Sequence, residues 1–68
     1  MKFLLNGEPC NQSAEALTLS EMLVSNQIKD QRGIAIAVNQ QVVPKIQWSD
    51  FQLNENDEVL IIKATQGG

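Results

Sequence analysis

The sequence predicts an α+β fold, a mixed sheet with one helix packed across one face. Three observations carry that expectation. Asn6-Gly7 joins two short extended stretches, and this dipeptide is the strongest short-range hairpin signal. A capping box opens one short amphipathic segment at 18–27. The last apolar run, "EVLIIKA" at 58–64, has bulk on both sides of a two-residue period. A strand of that kind belongs in the middle of a sheet rather than at an edge.

The elements follow in chain order. "KFLLN" (2–6) alternates, with Phe3 and Leu5 on one face and Lys2, Leu4 and Asn6 on the other. After the Asn-Gly turn, 8–13 returns as an antiparallel strand, and its Pro9 suits an edge. Thr18 is the N-cap of the helix and Glu21 completes the box. Leu17 and Met22 stand at hydrophobic-staple spacing, and Leu19, Met22 and Leu23 form the apolar stripe. A polar loop at 29–33 leads to "IAIAVN" (34–39), a strand burying Ile34, Ile36 and Val38 rather than Ala35 and Ala37. A turn at 39–41 gives a short strand at 42–43, which Pro44 ends. The stretch 45–53 reads as irregular, pinned by Trp48 and Phe51, and "NEND" (54–57) as a turn. A hairpin, a crossing helix and a late central strand describe a β-grasp architecture. The expected organisation is one domain, 1–64, and a flexible tail, 65–68.

Composition narrows the function. Sixty-eight residues allow one core and no second domain. The net charge of −3 argues against nucleic acid, which needs a basic surface, and suits a partner with a basic one. One cysteine forms no internal disulfide. No signal peptide and no membrane-length apolar run stand out, so a cytoplasmic protein without membrane contact is expected. Histidine is absent, which removes the usual general base and the commonest metal ligand. The carboxylates form no pair, and no glycine loop is built for phosphate. Neither catalysis nor metal binding is expected. Cys10 reads as a small strand hydrophobe without the basic setting of a reactive thiol, and Lys45 and Lys63 read as solvated charges.

The tail "TQGG" is what remains. A frayed end is its plainest reading. Its chemical reading is that the terminal carboxylate of Gly68 is an acyl group open to activation, on a thin segment able to thread a narrow channel. Fully extended, residues 65–68 reach about 13–14 Å.

Four stretches resemble a known family: "FLLNGE", "TLSEML", "AIAVNQQVVPKIQW" and "NDEVLIIKATQGG". They cover most of the chain and are similar to the ubiquitin-like sulfur carriers, within them the ThiS family of thiamine biosynthesis. The Gly-Gly end is shared among carriers, whereas "VNQQVVP…W" in so compact a chain points to thiamine. Two positions depart from the family pattern. Lys45 stands where an Arg often follows the Pro, and it offers a point charge in place of a bidentate contact. Asn56 stands where Gly usually precedes the acidic residue, and Asn can take the same backbone conformation.

The resemblance implies a protein co-substrate that binds no cofactor itself. An adenylating enzyme of the ThiF type would use ATP to convert the Gly68 carboxylate to an acyl-adenylate. A sulfur donor protein would turn that into a thiocarboxylate, and a thiazole synthase of the ThiG type would take the sulfur. Thr65, Gln66 and Gly67 would occupy the partner's channel. By resemblance to the ubiquitin fold, Val59 and Ile61 would face the helix, leaving Leu60 and Ile62 with Leu4 as a docking patch on the open face. Three alternatives remain at this level. They are the small subunit of molybdopterin synthase, which is typically longer, a protein modifier that forms isopeptide bonds, and a β-grasp binding module with an incidental tail.

Overall fold

The computed structural model describes residues 1–13, 16–28 and 31–63. Strands β1 (Lys2–Leu5) and β2 (Glu8–Asn11) form the N-terminal hairpin. Asn6 and Gly7 both have positive φ, 51° and 82°, the backbone that a two-residue turn matched to strand twist requires. A two-residue strand β3 (Leu17–Thr18) runs into helix α1 (Leu19–Ser25). Strands β4 (Ile34–Val38) and β5 (Gln41–Val43) make a second hairpin. A 3-10 turn (Lys45–Gln47), β6 (Gln52–Leu53) and β7 (Glu58–Lys63) follow.

The main sheet has five strands in the order β2-β1-β7-β4-β5. β7 lies at its centre, parallel to β1 and antiparallel to β4, as its two-sided bulk requires. The expected α+β mixed sheet with one helix is therefore present. Pro9 sits in the edge strand β2, where its missing N–H costs no ladder bond.

The helix is held by packing. Seven residues are too few for a stable isolated helix. Leu19, Met22 and Leu23 are fully buried, and burying each such side chain contributes about 1.5–3 kcal/mol. They meet Phe3, Ile36, Val38, Val43 and Val59 from the sheet. Trp48 closes one end of this core, its indole Nε1 donating to the Val43 carbonyl at 2.8 Å, while Phe51 is only partly buried against the core.

Three sequence readings are corrected. The stretch 45–53 is not irregular, because β6 pairs with β3 as a separate two-stranded sheet, Leu17 opposite Leu53. This pairing also serves the helix start, whose first N–H groups lack intrahelical acceptors. Leu19 N donates to the Phe51 carbonyl and Ser20 N to that of Trp48, while Glu21 N takes the Thr18 hydroxyl. Second, the helix stops at Ser25, before 27. Gln27, at φ 64°, donates to Val24 O and Ile28 donates to Leu23 O. That is a Schellman stop with glutamine in the usual glycine position, which hides it from a sequence reading. Third, the expected second strand ends at Asn11, short of 13.

Candidate functional site

The site is built on β7. Its residues alternate between the core and the open side of the sheet. Val59 is fully buried and Ile61 packs against the core. Leu60 and Ile62 point the other way and are 48% and 47% exposed.

Pairing register assigns the rest of that open face, because directly opposed residues share a side. Leu4 is paired with Glu58 and Pro9, and Ala37 with both Leu60 and Val42. Ala35 is opposite Ile62. The open face therefore carries Leu4, Leu60 and Ile62 together, with Leu4 only partly exposed. It also carries Pro9, two alanines and Val42, the last 70% exposed on the edge strand. The sequence reading placed only Leu4, Leu60 and Ile62 on this face and missed Val42. Its signal was weak: alternation in "IAIAV" set the alanines apart from the buried residues, but only strand order places them beside Leu60. Ala37 is 7% exposed although it lies on this face, because its taller neighbours Leu60 and Val42 flank it. A shallow groove of roughly 300 Å³ opens near Lys2, Leu4, Pro9 and Asn56.

β7 is fixed at both ends by asparagines from the two hairpin turns. At its start, Asn39 (φ 51°) donates from its backbone to Glu58 O, and its Oδ1 accepts from Glu58 N at 3.0 Å. Asn39 Nδ2 also donates to Asp57 Oδ1 at 2.9 Å, and the other carboxylate oxygen accepts from Asn54 N. Asp57 is thereby buried with both oxygens satisfied, and the 54–57 turn is tied to the β4–β5 turn. Asn56 takes φ 69°, and its N–H donates to Lys2 O. Near the far end of β7, Asn6 Oδ1 accepts from Ile61 N at 2.7 Å.

Other sequence-level candidates lie apart from this face. Cys10 is partly buried opposite Phe3, on the core side of β2. Lys45 is exposed in the 3-10 turn. Thr65, Gln66, Gly67 and Gly68 lie outside the described residues, as does the boundary expected at 64–65. What is described is the strand that leads to them, which ends at Lys63 opposite Ile34. No helix among the described residues is long and apolar enough to cross a membrane.

Comparison with known proteins adds the chemical context. The model of the ThiS family matches residues 3–68. The sulfur carrier protein ThiS of Escherichia coli (strain K12) is 36% identical over 70 residues, covering 100% of both chains. The crystal structure of the thiamine biosynthesis protein ThiS from Geobacter metallireducens shares the fold with a TM-score of 0.88, at 22% identity and with both chains covered in full. A solution structure of a thiamine biosynthesis protein from the same organism gives a TM-score of 0.76 at 22% identity, over all of this chain and 88% of that one.

Proposed function

Because this chain belongs to the ThiS family, its function is sulfur carriage in thiamine biosynthesis, and we propose that the Gly68 carboxylate is the group that carries the sulfur. The observation that supports this most directly is the apolar face continuous with β7: Leu60 and Ile62 are exposed on the same strand that leads into the Gly-Gly end. A partner gripping that face holds the body of the carrier while the tail enters its active site.

The chemistry explains why a partner is needed. An ionised carboxylate is a poor electrophile. An adenylating enzyme of the ThiF type joins one Gly68 oxygen to the α-phosphorus of ATP and releases pyrophosphate. The terminal sulfur of a donor persulfide then attacks the acyl carbon and AMP leaves. A second thiol cleaves the remaining S–S bond, leaving the thiocarboxylate on the carrier and a disulfide on the donor side. A thiazole synthase of the ThiG type accepts the sulfur, and the carboxylate returns for another round. These partners and a cytoplasmic setting are part of the proposal. The carrier's own contribution is position: apart from the Gly68 carboxylate itself, the bond-making groups belong to its partners.

The test is intact mass. With the adenylating enzyme, ATP and a sulfur source, the mass should rise by the difference between sulfur and oxygen, and the change should map to the C-terminal peptide. A chain lacking Gly68 ends one residue, about 3.3–3.6 Å, short and should stay unmodified, since even a ~1 Å misplacement can cost about a hundredfold. Cys10→Ser should still accept sulfur. Sulfur uptake by the truncated chain, or its loss in folded Cys10→Ser, would overturn the assignment.

A further inference from the structure

We propose that Asn6 is a positioning residue for sulfur loading, acting through the backbone of β7 to hold the base of the tail. The inference builds on the sulfur-carrier reading above, and its structural half stands on the carrier alone.

In a parallel ladder, a residue that donates to the carbonyl of j−1 accepts from the N–H of j+1. Leu4 N donates to Asp57 O and Asn6 N to Val59 O, each at 2.9 Å. The next rung should therefore run from Ile61 N to the main-chain carbonyl of residue 6. It does not. Asn6 has turned into the left-handed conformation of the hairpin, and its side-chain Oδ1 takes the Ile61 N–H instead, at 2.7 Å. The side chain thus extends the β1–β7 ladder by one rung past the point where the β1 backbone leaves it.

That rung is placed where it matters. β1 ends at Leu5 while β7 continues to Lys63. On its other side β7 stays paired with β4 through Lys63. On the β1 side Asn6 supplies the bond nearest the tail among the described residues, and Ile61 stands next to Ile62 of the open face. Asn39 uses the same device at the start of the strand, donating from its backbone to Glu58 O and accepting Glu58 N with its side chain. Two left-handed asparagines from two hairpins thus fix the central strand, one on each flank.

The turn alone does not require asparagine, because Gly-Gly also serves this two-residue turn. Asparagine adds an acceptor that glycine lacks. Loss of that acceptor frees the end of β7 on one side, and the acyl group must then be brought to its reaction geometry from a looser base.

This separates two variants. Asn6→Gly keeps the turn backbone, and with it the Asn6 N to Val59 O bond, but removes the Ile61 acceptor. Asn6→Asp keeps an acceptor of the same reach and tolerates the same backbone. In the carrier alone, Asn6→Gly should speed exchange of the Ile61 amide roughly fivefold, the worth of one net hydrogen bond, with the core amides of β4 unchanged. Asn6→Asp should restore protection. With the adenylating enzyme, ATP and a sulfur source, Asn6→Gly should lower kcat for thiocarboxylate formation about tenfold, a modest share of what misplacement of a reacting group can cost. KM for the carrier should not change, because the docking face is intact, and Asn6→Asp should recover kcat. Faster Ile61 exchange with unchanged kcat would overturn the positioning role. Unchanged exchange would overturn the anchor itself. A wild-type carrier that takes up no sulfur would instead bring down the sulfur-carrier reading.

Discussion

Among the described residues, five other than glycine have positive φ: Asn6, Gln27, Asn39, Gln40 and Asn56. Three are asparagines, which tolerate that backbone by local hydrogen bonding. Two of the three, Asn6 and Asn39, lend a side-chain oxygen to β7, so glycine could replace their conformation but not their bonds. The glutamines differ. Gln40, at φ 71°, occupies the second position of the β4–β5 turn and is exposed. Its left-handed backbone costs about 1–2 kcal/mol, part of which glycine would return as lost unfolded-state order. Gln40→Gly should therefore raise the urea midpoint by the equivalent of about 0.5–1 kcal/mol. An unchanged or lower midpoint would mean that Gln40 makes a compensating contact. Asn56, where the family usually carries glycine, meets the same backbone demand while its N–H bonds Lys2 O, which is why this departure leaves the fold intact.

At the scale of elements, the helix is the clearest case of local and tertiary signals agreeing. Thr18 and Glu21 bond reciprocally, Glu21 N to Thr18 Oγ1 at 3.1 Å and Thr18 N to Glu21 Oε1 at 2.9 Å. Thr18→Ala should destabilise the protein by about 1 kcal/mol, read as a lower urea midpoint with an unchanged m-value. A loss well above that would show that Thr18 also matters to the β3–β6 pair, whose register sets Thr18 opposite Gln52. β7 combines the other two roles of the molecule. Its buried residues join the sheet to the helix, and its exposed ones form the open face.

For the molecule as a whole, the division of labour follows from having, among the described residues, one α-helix for two sheet faces. α1 covers one side of the five-stranded sheet, and the apolar residues on the other side have no partner within the described residues. Exposed apolar surface of this kind is the basis for proposing the open face as a docking surface. Ile62→Asp, at a position 47% exposed, should leave the thermal midpoint within a few degrees while weakening binding to the adenylating enzyme by at least tenfold, as expected for a residue central to an interface. Val42→Asp should behave in the same direction with a smaller effect, since it lies on the edge strand. Calorimetric titration with both variants checks this. Normal affinity for Ile62→Asp would remove the open face from the docking mechanism.

What the sequence determined by itself was what short-range chemistry encodes. Asn6-Gly7 fixed a hairpin because that turn needs two positive φ angles. Thr18 and Glu21 fixed the helix start because its N–H groups need acceptors. The bulk of 58–64 fixed a central strand because apolar residues on both of its faces pack against flanking strands better than at an exposed edge. The Gly-Gly end and the "VNQQVVP…W" stretch carried the family. Tertiary structure decided what depends on residues far apart in the chain. The β3–β6 pair joins two-residue strands too short to show a period. The helix stop uses glutamine where glycine would have signalled it. Val42 and the alanines join Leu60 on one face only through strand order. The Oδ1 of Asn6 reaches a partner 55 residues away, a bond that no local pattern encodes because the ladder that demands it exists only once β1 and β7 lie side by side.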